Sequence, residues 1–154
     1  MQIEIKLAKK FIATGKTLAV AESCTGGLVS HRITNISGSS AYFLGGVIAY
    51  SNEVKISIFK VPRKTIEKYG AVSRETALAM ARGARRVFKS DIAAAVTGIA
   101  GPGGGTGAKP VGLAYISVVS GKKEKTVGVF FKGDRAALKK QFAEIVLETV
   151  VKCI

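Results

Sequence analysis

Leu18-Ala19-Val20-Ala21-Glu22-Ser23-Cys24-Thr25-Gly26-Gly27 decides how the chain folds. Residues 18–21 form a short apolar run, the length of a buried strand. A paired glycine follows, and residues 25–34 then read as a helix opening on Gly26-Gly27. Strand, tight turn and helix in that order make the repeating unit of an α/β sheet.

Working upstream, Ile3, Leu7, Ala8, Phe11 and Ile12 fall on one helical stripe over residues 3–14, which Gly15 terminates. Downstream, the aromatic and β-branched residues before Tyr50 predict a second strand over 46–50. Residues 52–59 and 62–69 are short helices, and 72–89 is a longer one with Ser73 as N-cap and Glu75 in its first turn. A buried small-residue strand over 91–97 leads into a glycine-rich loop that runs to Pro110. Residues 111–119 and 125–131 then pair around Ser120-Gly121-Lys122. A last helix starts at Asp134, with Leu138, Phe142, Ile145, Val146 and Val150 on its apolar face. The pattern predicts one domain over residues 1–154. It is a three-layer α/β/α sandwich around a mixed, mostly parallel sheet of four or five strands.

Composition narrows the class. Hydrophobic residues make up 47% of the 154, enough for a sizeable core. No apolar run reaches the ~20 residues of a spanning helix, so no membrane partner is expected. The first residues alternate charged and apolar, unlike a signal peptide. Cys24 and Cys153 are the only cysteines, which implies no disulfide framework and suits a cytoplasmic protein. His31 is the only histidine, so no metal site is expected. The net charge of +14 raises a nucleic-acid reading. Against it, no basic stretch is interleaved with aromatics, and a solvated basic surface or attraction of small anions serves as well.

Three patterns mimic function. Gly15-Lys16-Thr17 resembles the end of a P-loop, but it lies between a helix and a strand, the reverse of that motif's order. Gly103-x-Gly105-x-x-Ala108 matches a loose dinucleotide fingerprint, yet Pro110 leads into a strand. Cys24 and His31 lie about 10 Å apart along one helix, too far for a nucleophile–base pair.

Two glycine-marked turns remain, Glu22 to Gly27 and Thr97 to Gly105. Six glycines between 98 and 110 carry a large entropy cost on ordering, which argues for a ligand loop. Right-handed crossovers bring both turns to the carboxyl edge of the sheet, where open α/β sheets bind ligands. Tyr50 and Lys55 reach the same edge if the second strand parallels the first. A serine without histidine can use a neutral lysine as base. Spacing alone favours reading Lys55 as a solvated helix residue.

The blocks Ala19–Gly27, Gly38-Ser39-Ser40, Gly45-Gly46, Ala49-Tyr50-Ser51-Asn52, Lys55, Gly70-Ala71-Val72-Ser73, Thr97–Pro102, Val111-Gly112 and Gly133-Asp134-Arg135 run in order along most of the chain. In these the sequence resembles the C-terminal domain of the CinA family, the nicotinamide mononucleotide deamidases. The resemblance implies hydrolysis of nicotinamide mononucleotide to nicotinate mononucleotide and ammonia, in pyridine nucleotide salvage. It implies no cofactor, a homo-oligomer, and a stand-alone form of a domain that often follows another. Carried over residue by residue, it implies Ser23 as nucleophile, Lys55 as general base and Tyr50 as assisting acid. Backbone N–H groups of Thr25, Gly26 and Gly27 would hold the oxyanion. Thr97, Gly98, Gly101 and Gly103, with Arg135, would hold phosphate or ribose. Ser40 is the alternative nucleophile. Ser23 is preferred because it follows a strand's carboxyl end, whereas Ser40 precedes the next strand. A nucleotide-binding module without chemistry, or a basic nucleic-acid binder, are the alternatives to an enzyme.

Overall fold

A computed structural model describes residues 1–154. The elements in chain order are α1 (Ile3–Thr14), β1 (Leu18–Glu22), α2 (Leu28–Thr34), a 3-10 turn (Ser39–Ala41), β2 (Phe43–Ile48), α3 (Asn52–Phe59), α4 (Arg63–Tyr69) and α5 (Arg74–Phe88). They continue with β3 (Ile92–Gly98), β4 (Leu113–Ser120), β5 (Lys123–Phe130) and α6 (Arg135–Cys153). The five strands form one sheet in the order β2-β1-β3-β4-β5. β1 pairs parallel with β2 and β3, while β4 and β5 add antiparallel pairings. Four of the five strands therefore point the same way.

Alternation of side chains across the pleat builds a core on each face. Leu18 and Val20 of β1, with Ile92, Ala94 and Val96 of β3, join Phe11, Leu138, Phe142 and Val146 beneath α1, α2 and α6. Ala21, Ala93 and Ala95 point the other way, towards Met80, Ala81 and Ala84 of α5. Alanines on that face let α5 lie close to the sheet. Gly83 does the same between helices, because a Cβ there would stand 2.2 Å from the Phe59 carbonyl oxygen.

Two elements differ most from expectation. β2 starts at Phe43 and ends at Ile48, rather than spanning 46–50. Glycine disfavours strands, so Gly45-Gly46 obscured the start. Gly46 is needed there: a Cβ would approach the Ser30 hydroxyl to 2.6 Å. A register irregularity opposite Leu18 and Ala19 absorbs the extra residue, and Tyr50 emerges beyond the sheet. Likewise α2 begins at Leu28, not Thr25. Gly26 and Gly27 sit at φ +58° and +99°, left-handed values that end regular geometry before the helix starts.

Candidate active site

The turn after β1 is organised by one carboxylate. Glu22 is 1% exposed, and its oxygens accept from Thr25 Oγ1 (2.6 Å), the Gly27 and Val29 amides (both 3.1 Å), and the Ser30 amide and hydroxyl (both 2.8 Å). A buried charge is tolerated when so many donors replace its hydration. The chain is thereby pinned on both sides of Ser23, whose own amide donates to the Val96 carbonyl at 3.1 Å. Ser23 lies at the carboxyl edge and opens on a cavity of about 270 Å³. Cys24 lines the same cavity. Burial pushes its thiol up to about 12, with the Glu22 charge adding to the rise and Lys55 and Lys139 opposing it. The thiol stays protonated at neutral pH and is no nucleophile.

Lys55 forms the opposite wall. Ser51 caps α3 by accepting from the Val54 amide at 3.2 Å, which sets the helix direction. Lys55, one turn in, is 1% exposed, and its Nζ donates to the Tyr50 carbonyl at 3.1 Å. It joins no salt bridge. Burial pulls the ammonium below the ordinary lysine range, and the nearby Cys24 only partly opposes this. The solvated-helix reading of Lys55 is therefore wrong: the side chain turns inward under the β2–α3 connection.

The third wall comes from β3 and α6. Thr97 is buried, its hydroxyl donating to the Ala71 carbonyl at 2.8 Å. Gly98, Gly101 and Gly103 line the cavity beyond it. A Cβ at Gly98 would meet Ala114 Cβ at 2.6 Å, so glycine is required where β3 and β4 part. Arg135, first residue of α6, donates through Nη1 to the Gly101 carbonyl (2.7 Å) and through Nη2 to the Tyr50 hydroxyl (2.8 Å). Tyr50 thus stands at the rim, its phenol accepting from arginine while its own O–H stays free to donate.

Three segments far apart in sequence converge as topology predicted: Ser23, then Tyr50 with Lys55, then Thr97 to Gly103. Arg135 joins them. Thr25, Gly26 and Gly27 do not reach this cavity; they line an adjoining depression with Arg135, Lys139 and Lys140. Two of the three expected oxyanion donors are also engaged elsewhere, the Gly26 amide by the Ser23 carbonyl and the Gly27 amide by Glu22. Glu22 capping takes one of the donors that the sequence left free. Ser40 sits in the 3-10 turn, next to the point where the Leu18 amide bonds the Tyr42 carbonyl. That is the amino end of β1, the full strand away from Ser23.

Comparison with known proteins gives the chain its relatives. A profile of the CinA C-terminal domain matches residues 1–154. The chain belongs to the CinA C-terminal domain family. A CinA-like protein of Geotalea daltonii is 54% identical over 134 residues, covering 86% of this chain but 32% of the relative. The chain thus spans about a third of the length of the curated relatives it matches. The crystal structure of a competence-damaged protein (CinA) superfamily protein from Klebsiella pneumoniae superposes with a TM-score of 0.94 at 29% identity, covering 97% of this chain and 94% of that one. A competence/damage inducible protein from Agrobacterium tumefaciens superposes at 0.91 with 36% identity, over 97% and 94% respectively.

The CinA domain also places residues in the cavity that sequence reasoning passed over. Asn52, Ala71 and Val72 line it. Asn52 carried a signal, a polar residue directly after the second strand in the matched block. The structural role of Glu22 had one too, a carboxylate three residues before a threonine at a helix entry.

Proposed function

We propose that this CinA domain is an amidohydrolase that converts nicotinamide mononucleotide to nicotinate mononucleotide and ammonia, a cytoplasmic salvage step. One observation carries the reading: a buried lysine without a counter-ion shares a small cavity with a serine held at a strand end. Neutral Lys55 takes the Ser23 proton as the hydroxyl oxygen attacks the carboxamide carbon. The tetrahedral intermediate expels ammonia, its nitrogen taking a proton from the Tyr50 O–H, which the Lys55 ammonium restores, so that Lys55 is neutral again. Water, deprotonated by Lys55, then attacks the acyl-serine, and the Lys55 ammonium returns that proton to the departing Ser23 oxygen as the acid product forms and ionises. Arg135 holds Tyr50 in place and offers its remaining N–H groups to the phosphate or ribose.

The test is ammonia release from nicotinamide mononucleotide by wild type, Ser23→Ala, Ser40→Ala and Lys55→Ala. The proposal expects loss in the first and third variants and near-wild-type turnover in Ser40→Ala. Full turnover by Lys55→Ala overturns the lysine-base mechanism. Stabilisation of the wild type by the nucleotide without product indicates a binding module instead.

A further inference from the structure

The largest concavity of the molecule, about 740 Å³, lies at the other end of the sheet. Lys16 precedes β1 there, Asp91 precedes β3, the β4–β5 turn runs through Gly121 and Lys122, and the carboxyl end of α6 returns to the same place. Every element of the candidate active site leaves the opposite edge. The two concavities share no residue.

Six cations line this groove: Lys16, Arg85, Lys122, Lys123, Lys125 and Lys152. Its acids are already committed. The Asp91 carboxylate accepts from the Thr17 amide (2.8 Å) and hydroxyl (2.9 Å), and Glu124 is held bidentately by Arg82, both contacts 2.7 Å. Glu148 lies 3.9 Å from Lys152. Those charges leave a clear positive excess. Arg85 spends one N–H on the Asp91 carbonyl at 3.1 Å and keeps the rest.

An adjoining depression extends the same field. It shares Arg85, Asp91, Gly121 and Glu124 with the groove and adds Arg82, Arg86 and Lys89. Ser90 lies in its wall, 5% exposed, with a hydroxyl that has no hydrogen-bond partner. Buried hydroxyls are rarely left so. Gathering like charges around one concavity is unfavourable in the free protein, and a bound polyanion removes that repulsion.

We propose that this groove is a second ligand site, which binds a compact chain of phosphates such as an inorganic polyphosphate or the triphosphate of a nucleotide. The lining decides between this and a nucleic acid. Only three of its 13 residues are hydrophobic and none is aromatic, so it can grip phosphate oxygens but offers no platform for bases. The groove is also concave rather than a stripe along a backbone. Lysines give point-charge recognition of phosphate, and Arg85 adds a fork.

The experiment is calorimetric titration of the whole chain with sodium tripolyphosphate, orthophosphate and a 20-base-pair DNA duplex at low salt. It is repeated with Lys123→Glu/Lys152→Glu and with Lys64→Glu/Lys68→Glu. The second pair changes net charge equally but lies on α4, away from the groove. The expected result is saturable one-to-one binding of tripolyphosphate, with weaker orthophosphate binding. Affinity falls at least about tenfold in the groove variant and much less in the α4 variant, with both variants melting near wild type. Equal losses in the two variants mean a general field effect and overturn the proposal. Absence of tripolyphosphate binding overturns it as well, and so does binding confined to the duplex. Melting on addition of tripolyphosphate gives a second readout, since a ligand of the native state raises Tm.

Discussion

Arg135 Nη2 donates to the Tyr50 hydroxyl at 2.8 Å, joining the first residue of α6 to the chain that leaves β2. The same guanidinium holds the Gly101 carbonyl, so one side chain sets both the phenol and the glycine loop. Arg135→Lys keeps the charge but cannot reach two partners in the guanidinium's fixed geometry. Its KM for nicotinamide mononucleotide should rise roughly tenfold, the equivalent of one charge-assisted bond. Tyr50→Phe keeps the ring and loses the proton, so kcat should fall about a hundredfold with KM little changed. Steady-state kinetics on both variants separate the two effects. The reverse pattern would assign positioning to tyrosine and chemistry to arginine.

Lys55 gives a pH dependence with a definite sign. Its pKa is depressed in the folded protein relative to the ordinary 10.5. Folding is therefore penalised while the unfolded chain and the native state both hold the proton. The penalty fades as pH rises from the folded value towards 10.5, because only the unfolded chain then stays protonated. Lys55→Met should be more stable than wild type at pH 7 by about 1 kcal/mol or more, and the gain should shrink towards pH 10. Urea unfolding across that range measures it. The ammonia-release rate of wild type should climb with pH to a plateau whose midpoint lies below the ordinary lysine range.

Glu22 is a third point of leverage. Glu22→Ala leaves three amides and two hydroxyls without their acceptor in a closed turn. The expected loss is about 3 kcal/mol, read from urea unfolding. Glu22→Gln keeps the volume but replaces one acceptor oxygen with an NH2 that can only donate, among groups that are all donors, so it should recover only part of that loss.

Most of the site was legible because it depends on topology. Alternating strands and helices placed Ser23, Tyr50 and Thr97 at the carboxyl ends of three parallel strands, and such strands end at one edge. What stayed hidden depends on side-chain direction. Lys55 at helical spacing reads as solvent-facing, and only the packing of α3 on α5 turns it inward. Gly26 and Gly27 read as free donors beside a ligand, and only the folded turn shows them taken, Gly26 by the Ser23 carbonyl and Gly27 by the Glu22 carboxylate. The strand start at Phe43 was masked by Gly45-Gly46, whose absent side chains are a packing requirement rather than a break.

Gly83 tests the same distinction between propensity and packing. Alanine in a helix interior ordinarily improves stability by about 1 kcal/mol over glycine. Here its Cβ would press on the backbone of Phe59, at 2.2 Å from the carbonyl oxygen and 2.8 Å from Cα. Gly83→Ala should therefore destabilise, by about 2 kcal/mol, and push α3 outward. Because α3 carries Lys55, ammonia release should fall more than the stability change alone explains. A Gly83→Ala protein as stable as wild type would show that α3 shifts freely.

The α6 helix starts with Arg135 at the candidate active cavity and reaches Lys152 at the polybasic groove. Nineteen residues at 1.5 Å each make a rod of about 28 Å. Its middle is clamped into the core through Leu138, Phe142, Val146 and Val150. The rod has no hinge residue between its ends, neither glycine nor proline. Whatever seats itself at one end of the sheet thus grips the same stiff strut that sets the geometry at the other, and the two ends share one mechanical frame.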